Sequence, residues 1–165
     1  MKRNCILFCL LGSLFSLICC SVKKMPEGDL LSLEFVRSGM RAGNEYEGRV
    51  EKDSSGVITL TAMKEPYGPL FEKRLSANDL QKFRQIIETN KMYKYKDSYR
   101  PMVRVLDGWS WTFTAVFSDG TSISSHGSNA GPSDDGLQEI RELMQELIKD
   151  GVKIDTEDEE EKDDD

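Results

Sequence analysis

From Trp109 onward the chain alternates with a period of two. Trp109, Trp111, Phe113, Ala115 and Phe117 fall on one side and Ser110, Thr112, Thr114 and Val116 on the other. Successive strand side chains point to opposite faces, so this run is a strand with one side buried and the other near water. A strand of that kind needs neighbours to pair with and a layer to cover its aromatic side, which excludes an all-helical fold and an isolated hairpin.

The rest of the sequence supplies both. Leu31, Leu33 and Phe35 alternate with Ser32, Glu34 and Val36. Tyr46, Gly48 and Val50 alternate with Glu45, Glu47, Arg49 and Glu51, and Asp53-Ser54-Ser55-Gly56 then gives turn chemistry before residues 57–62. These read as a strand followed by a hairpin. Pro66, Gly68 and Pro69 interrupt the pattern, so Leu70 to Leu75 is expected as a short edge strand at most. Ser76 followed by Asp79 has the spacing of a capped helix start, and Leu80, Phe83, Ile86 and Ile87 form the apolar stripe of a helix ending near Asn90. Ser118-Asp119-Gly120-Thr121 is a hairpin turn, with a return strand over 121–125 and a loop over 127–136. Leu137, Ile140, Leu143, Met144 and Leu147 then recur at helical spacing up to Gly151. Strands and helices do not alternate regularly, which favours α+β: an antiparallel sheet of about five or six strands with both helices on one face.

All four cysteines, Cys5, Cys9, Cys19 and Cys20, lie in the first 20 residues. The folded part therefore has no thiol for a disulfide, a zinc site or a nucleophile. Lys2 and Arg3 precede an uncharged run over 6–18, which matches the charged and apolar regions of a secretory signal and is too short for a comfortable membrane span. Its end, Leu17-Ile18-Cys19-Cys20, resembles a bacterial lipobox, with Leu17 three residues before Cys20 and Cys19 where Gly, Ala or Ser is usual. The resemblance implies cleavage before Cys20 and lipid attachment at Cys20, and two or three acyl chains on one residue hold a domain at a bilayer far longer than one. Some bacterial lipoproteins carry acidic residues just after the cysteine as a surface-export mark; Ser21-Val22-Lys23-Lys24 has none, so the resemblance implies a periplasm-facing position. The division that follows is a signal peptide over 1–19, a lipidated cysteine and tether over 20–28, one domain over 29–152 and a disordered acidic tail over 153–165.

The chain has 165 residues, 22 Lys and Arg against 29 Asp and Glu, and a net charge of -7. Nine of the acids lie in the last eleven residues, while residues 20–154 carry 19 basic and 20 acidic groups. A nucleic-acid partner is excluded on this balance, since phosphate neutralisation needs a surplus of clustered cations. The acidic tail is too charged and too poor in apolar residues to fold alone.

Motif chemistry is sparse. His126 is the single histidine. It has Ser124, Ser128 and Asn129 near in sequence, yet no nucleophile elbow accompanies it, and an exposed or capping His in a polar loop is the simpler reading. No metal set, phosphate loop or cofactor motif is present, so no cofactor is expected. Asp107 before Gly108-Trp109 suggests a carboxylate beside stacked aromatics, although Asp-Gly is also ordinary turn chemistry. Tyr93, Tyr95, Tyr99, Trp109 and Trp111 are candidates to line a ligand groove or to pack at a sheet rim. Ser110, Thr112, Thr114, Ser122 and Ser124 would form a flat hydroxyl-rich face on which a partner can dock.

The stretch over 92–132 includes Leu106-Asp107-Gly108-Trp109-Ser110-Trp111, Phe117-Ser118-Asp119-Gly120 and Gly127-Ser128-Asn129-Ala130-Gly131-Pro132. It resembles a recurrent signature of small bacterial cell-envelope lipoproteins of the Bacteroidetes type, to which no activity is assigned. The resemblance implies a shared fold and a groove around Asp107 and Asn129. Together these readings lead to a non-enzymatic, membrane-anchored lipoprotein that contacts an envelope protein or glycan, with Tyr95, Tyr99, Asp107, Trp109, His126 and Asn129 as candidate contacts. A small hydrolase or glycan-binding enzyme using Asp107 and His126, and an immunity-type protein with the acidic tail on a basic toxin, are the alternatives.

Overall fold

The computed structural model describes residues 23–39, 45–103 and 108–154. Strands β1 (Leu30–Gly39), β2 (Tyr46–Lys52), β3 (Ile58–Met63) and β4 (Leu70–Leu75) form an antiparallel meander. Helix α1 (Ala77–Thr89) and a short 3-10 turn (Met92–Lys94) lead into β5 (Ser98–Tyr99). The hairpin of β6 (Trp109–Phe117) and β7 (Ser122–Ser128), helix α2 (Gly136–Leu147), a second 3-10 turn (Ile148–Asp150) and β8 (Val152–Lys153) follow. The fold is α+β, and the sheet has the order β5-β7-β6-β1-β2-β3-β4-β8.

The register explains why the aromatic side of β6 is buried. β6 pairs antiparallel with β1, bringing Phe113 opposite Phe35 and Ala115 opposite Leu33. Trp111, Phe113, Ala115 and Phe117 thus join Leu33, Phe35, Tyr46, Val50, Leu60 and Ala62 in one buried layer, covered by Leu80, Phe83 and Ile87 of α1 and Ile140 and Met144 of α2. Each fully buried side chain of this size stabilises the fold by about 1.5–3 kcal/mol relative to exposure. Gly48 of β2 makes room for α2: a β-carbon there would lie 2.5 Å from Met144 Sδ.

Local chemistry sets the element ends. Ser76 and Asp79 form a reciprocal capping box at α1, and Asn90 closes that helix. Asp53 Oδ1 accepts from the Ser55 and Val57 amides at 2.8 and 2.9 Å, shaping the β2–β3 turn, in which Gly56 has φ +87.

Several sequence expectations are corrected. The sheet has eight strands rather than five or six and is mixed, because β5 runs parallel to β7. β5 and β8 have two residues each, too few to show any period. A register shift between Leu30 and Ser32 turns Leu30 into the core in place of Leu31. Leu70 to Leu75 is a full strand, with six register pairs to β3. β7 runs on to Ser128, so Gly127 and Ser128 belong to the strand and not to the following loop. At the C-terminal end, β8 includes Lys153, and the Ile154 amide donates to the Leu70 carbonyl at 3.0 Å, so the chain is held past the expected domain end at 152.

Residues 23–28, within the stretch read as a short tether, are docked on the domain. The Lys23 ammonium donates to the Tyr95 carbonyl at 2.9 Å and to Asp97 at 2.8 Å. The Arg84 guanidinium donates to the carbonyls of Pro26 and Gly28, and Asp119 Oδ2 accepts the Glu27 and Gly28 amides at 2.9 and 2.8 Å. Pro26 is buried and Met25 packs on the core.

Candidate functional site

The helices cover one side of the sheet. The register places cross-strand rows on the other side, because directly paired residues share a face. One row runs Ser124, Thr114, Glu34, Arg49, Thr61, Glu72, and a second runs Ser122, Val116, Ser32, Glu51, Thr59, Arg74. A third begins His126, Thr112, Val36, Glu47, and Ser128, Ser110 and Ser38 continue the pattern toward the rim, where the Ser38 and Ser110 hydroxyls meet at 3.1 Å. The hydroxyl-rich β6–β7 region therefore passes into a charged β1–β4 region. Arg49 Nε lies 3.6 Å from Glu34 and 3.5 Å from Glu51, holding two carboxylates that would otherwise repel across the strands.

Two concavities interrupt this face. One, of about 690 Å3, lies between the chain leaving β5 and the strands β6 and β7; Tyr99, Arg100, Ser110, Thr112 and His126 are among its walls. The other, of about 630 Å3, is centred on Arg49, Glu51, Thr59 and Thr61. A third groove, of about 890 Å3, follows the free half of β7 beside the docked tether, between Lys23, Lys24, Tyr93 and His126. His126 borders both rim grooves and is exposed. It sits within β7, paired with Ser98 and Thr112, and so neither ends a strand nor caps a loop.

The remaining sequence candidates fall into different roles. Tyr95 is buried, and its hydroxyl donates to Asp134, whose Oδ1 also accepts the Gly136 amide at the start of α2. Burial, with Asp134 adding to it, pushes the Tyr95 phenol well up, so it stays a neutral donor. Tyr99 is half-buried, edge-on to Tyr95 at 6.3 Å and tilted against Trp111 at 5.7 Å. Trp111 is core, with its indole N–H donating to the Ala130 carbonyl at 2.9 Å. Asn129 has φ +51, and its Oδ1 accepts the Trp109 amide at 2.9 Å, which ties the loop after β7 to the start of β6. Tyr95 and Asn129 therefore both make framework hydrogen bonds. Cys20 and Asp107 lie outside the described residues.

Trp109 belongs to a separate cleft of about 160 Å3 on the helix-covered side of the sheet, with Arg37, Pro132, Asp134, Asp135 and Arg141. The Arg37 guanidinium stacks 4.8 Å over Trp109, and Arg141 lies 5.4 Å over Tyr46. Burial, then repulsion from Arg141, lowers the Arg37 pKa from its ordinary value. Sequence reading did not find these arginines, because 104 positions separate Arg37 from Arg141 and neither sits in a motif. Arg49 was likewise visible only as the polar half of an alternating strand.

Among the described residues no group of three or more His, Cys, Asp or Glu is placed to hold a metal ion. A scan against protein-family models and a search of the curated proteins each find no match to this chain.

Proposed function

We propose that this chain is a lipid-anchored protein of the bacterial envelope that acts without catalysis, binding another envelope component on the uncovered face of its sheet. The observation that carries the reading is the asymmetry of the sheet: helices cover one face, while the other presents ordered rows of hydroxyl and charged side chains with two concavities of about 690 and 630 Å3. A flat polar face with shape and fixed charge provides hydrogen-bonding groups for a protein or glycan at little cost in desolvated apolar area. The lipobox-like Leu17-Ile18-Cys19-Cys20 supports the anchor, and the docking of residues 23–28 supports a domain held close to it.

Two measurements test the reading. The chain, made in a bacterium with its own signal, is extracted from membranes and its intact mass determined. Acyl mass on Cys20, lost in Cys20→Ser, is expected; a chain cleaved elsewhere with no lipid refutes the anchor. Affinity capture from solubilised envelope is then compared between the parent chain and Thr112→Arg with Ser124→Arg, both at exposed positions. A stoichiometric partner lost in the double variant, with unfolding unchanged, is the expected result. A partner retained by that variant, and lost instead on truncation after Ile154, would move the contact to the acidic tail.

A further inference from the structure

We infer that the β5 edge of the sheet is a membrane-facing surface that meets the headgroups of an anionic bilayer. The inference rests on the lipid-anchor reading above and adds to it an orientation and a lipid chemistry. It starts from the length of chain between anchor and fold. Lys23 is already fastened to Tyr95 and Asp97, beside β5. Three residues from Cys20 to Lys23 span at most about 10 Å, so an acylated Cys20 holds this rim close to the bilayer surface. That is roughly one Debye length at physiological ionic strength, within which surface charge still acts.

The rim has the charge such a surface attracts. Lys91, Lys94, Lys96 and Arg100 are all exposed along the segment that carries β5, and Lys24 follows the anchor. Asp97 takes the Lys23 ammonium, while Asp119, which accepts from two tether amides and from the Thr121 amide and hydroxyl, and exposed Glu27 add negative charge to the same groove; Lys23, Lys24, Lys91, Lys94, Lys96 and Arg100 still outnumber these three acids. Beyond Arg100 the chain presents Met102 and Val103 fully or largely exposed, at 105% and 74%. An apolar tip flanked by cations suits an interface where methylene groups enter the headgroup layer and ammonium groups stay on phosphates.

The far edge is the opposite in character. β8 closes it, and Ile154 leads from it into residues 155–165 with their nine acids. Seven strand spacings of about 4.8 Å separate the two edges by roughly 34 Å. A β5-down orientation therefore keeps the origin of the acidic segment several Debye lengths from an anionic surface and leaves the uncovered face of the sheet sideways and accessible.

The test uses the chain extracted from membranes and reconstituted in vesicles of zwitterionic phospholipid with and without an anionic lipid. Met102→Cys and Val152→Cys each add one thiol to the mature chain, whose Cys20 is acylated, and each is labelled with a polarity-sensitive fluorophore. The expected result is a blue-shifted label at position 102 that is quenched by headgroup-nitroxide lipid in anionic vesicles, while the label at position 152 stays as in water. Identical responses at the two positions, or a response at 102 indifferent to anionic lipid, would overturn the inference. Should the chain prove soluble and free of acyl groups, the anchor reading fails on its own, and binding of that soluble chain to anionic vesicles decides the surface. Salt-sensitive binding, weakened about thirtyfold at low salt by Lys94→Gln with Lys96→Gln, supports it; no binding refutes it.

Discussion

Replacing Gly127 by alanine tests how tightly the rim of the sheet is built. A β-carbon at this position would lie 2.3 Å from the Ala130 carbonyl oxygen and 2.3 Å from Trp111 Nε1, about 1 Å inside ordinary contact on both. These two atoms are bonded to each other at 2.9 Å, so the methyl group cannot be relieved by moving one of them without breaking that hydrogen bond. Loss of the bond with a buried donor left behind costs about 1–3 kcal/mol. Displacing Trp111, which is 3% exposed, from a filled layer costs about 1–3 kcal/mol more. The expected destabilisation is roughly 2–6 kcal/mol, or about 4 °C in Tm for each kcal/mol in a domain of this size. Urea unfolding followed by tryptophan emission measures it, since the chain has two tryptophans, Trp109 and Trp111, both in β6. Gly56→Ala is the control: its φ is +87 with nothing within 4 Å, so only backbone strain of about 1 kcal/mol is expected. A Gly127→Ala midpoint within about 0.5 kcal/mol of the parent would refute the argument and show that the 127–130 segment yields freely.

Ser76→Ala removes one half of the capping box at α1 and should cost about 1 kcal/mol in chemical unfolding; an unchanged midpoint would mean that water replaces the cap. Tyr95→Phe deletes the hydroxyl that donates to Asp134 and should cost roughly 1–2 kcal/mol, with the loss read as a lower urea midpoint at constant slope. Asp119 is held down to about 2 from 3.8, first by the Thr121 hydroxyl and amide and then by the tether amides. Its folded value lies below its unfolded one, so its contribution is fully present above about 3.8 and is lost as the pH falls through about 2. The Gly28 amide resonance should therefore titrate near pH 2 and lose that titration in Asp119→Asn; a midpoint at 3.8 would show that the carboxylate does not hold the tether.

What was legible in the sequence follows the range of the interaction that fixes each element. β6 announces itself because every second residue is aromatic or Ala, and α1 because Ser76, Asp79 and the Leu80, Phe83, Ile87 stripe lie within a few turns. The β6–β7 turn is equally local, with Asp119 accepting from Thr121 two residues on. β5 and β8 depend instead on partners far along the chain, and two residues carry no period. The inward turn of Leu30 depends on a bulge in the pairing with β6, which no pattern within β1 encodes. The candidate contacts divide in the same way. His126 and Tyr99 border a groove, while Tyr95 is committed to Asp134, 39 positions on, and Asn129 to Trp109, 20 positions back. Tyr and Asn are residue types that serve recognition and framework equally, and only the partner decides between them.

The docked segment changes what an anchor at Cys20 would mean. Residues 21–28, if free, would extend up to about 28 Å from an acylated cysteine and let the domain explore a wide shell above the bilayer. Arg84 and Asp119, 56 to 92 positions away in sequence, fasten that segment at Pro26, Glu27 and Gly28, and Lys23 fastens its beginning. Were Cys20 acylated, the free link would shorten to three residues, and a short link at one corner of the sheet would bias which edge faces the lipid. The alternation of β6 and the contacts of the tether thereby serve one arrangement. The aromatic side of the strand makes the helix-covered core, and its hydroxyl side is the surface that a domain held on a short anchor would leave open.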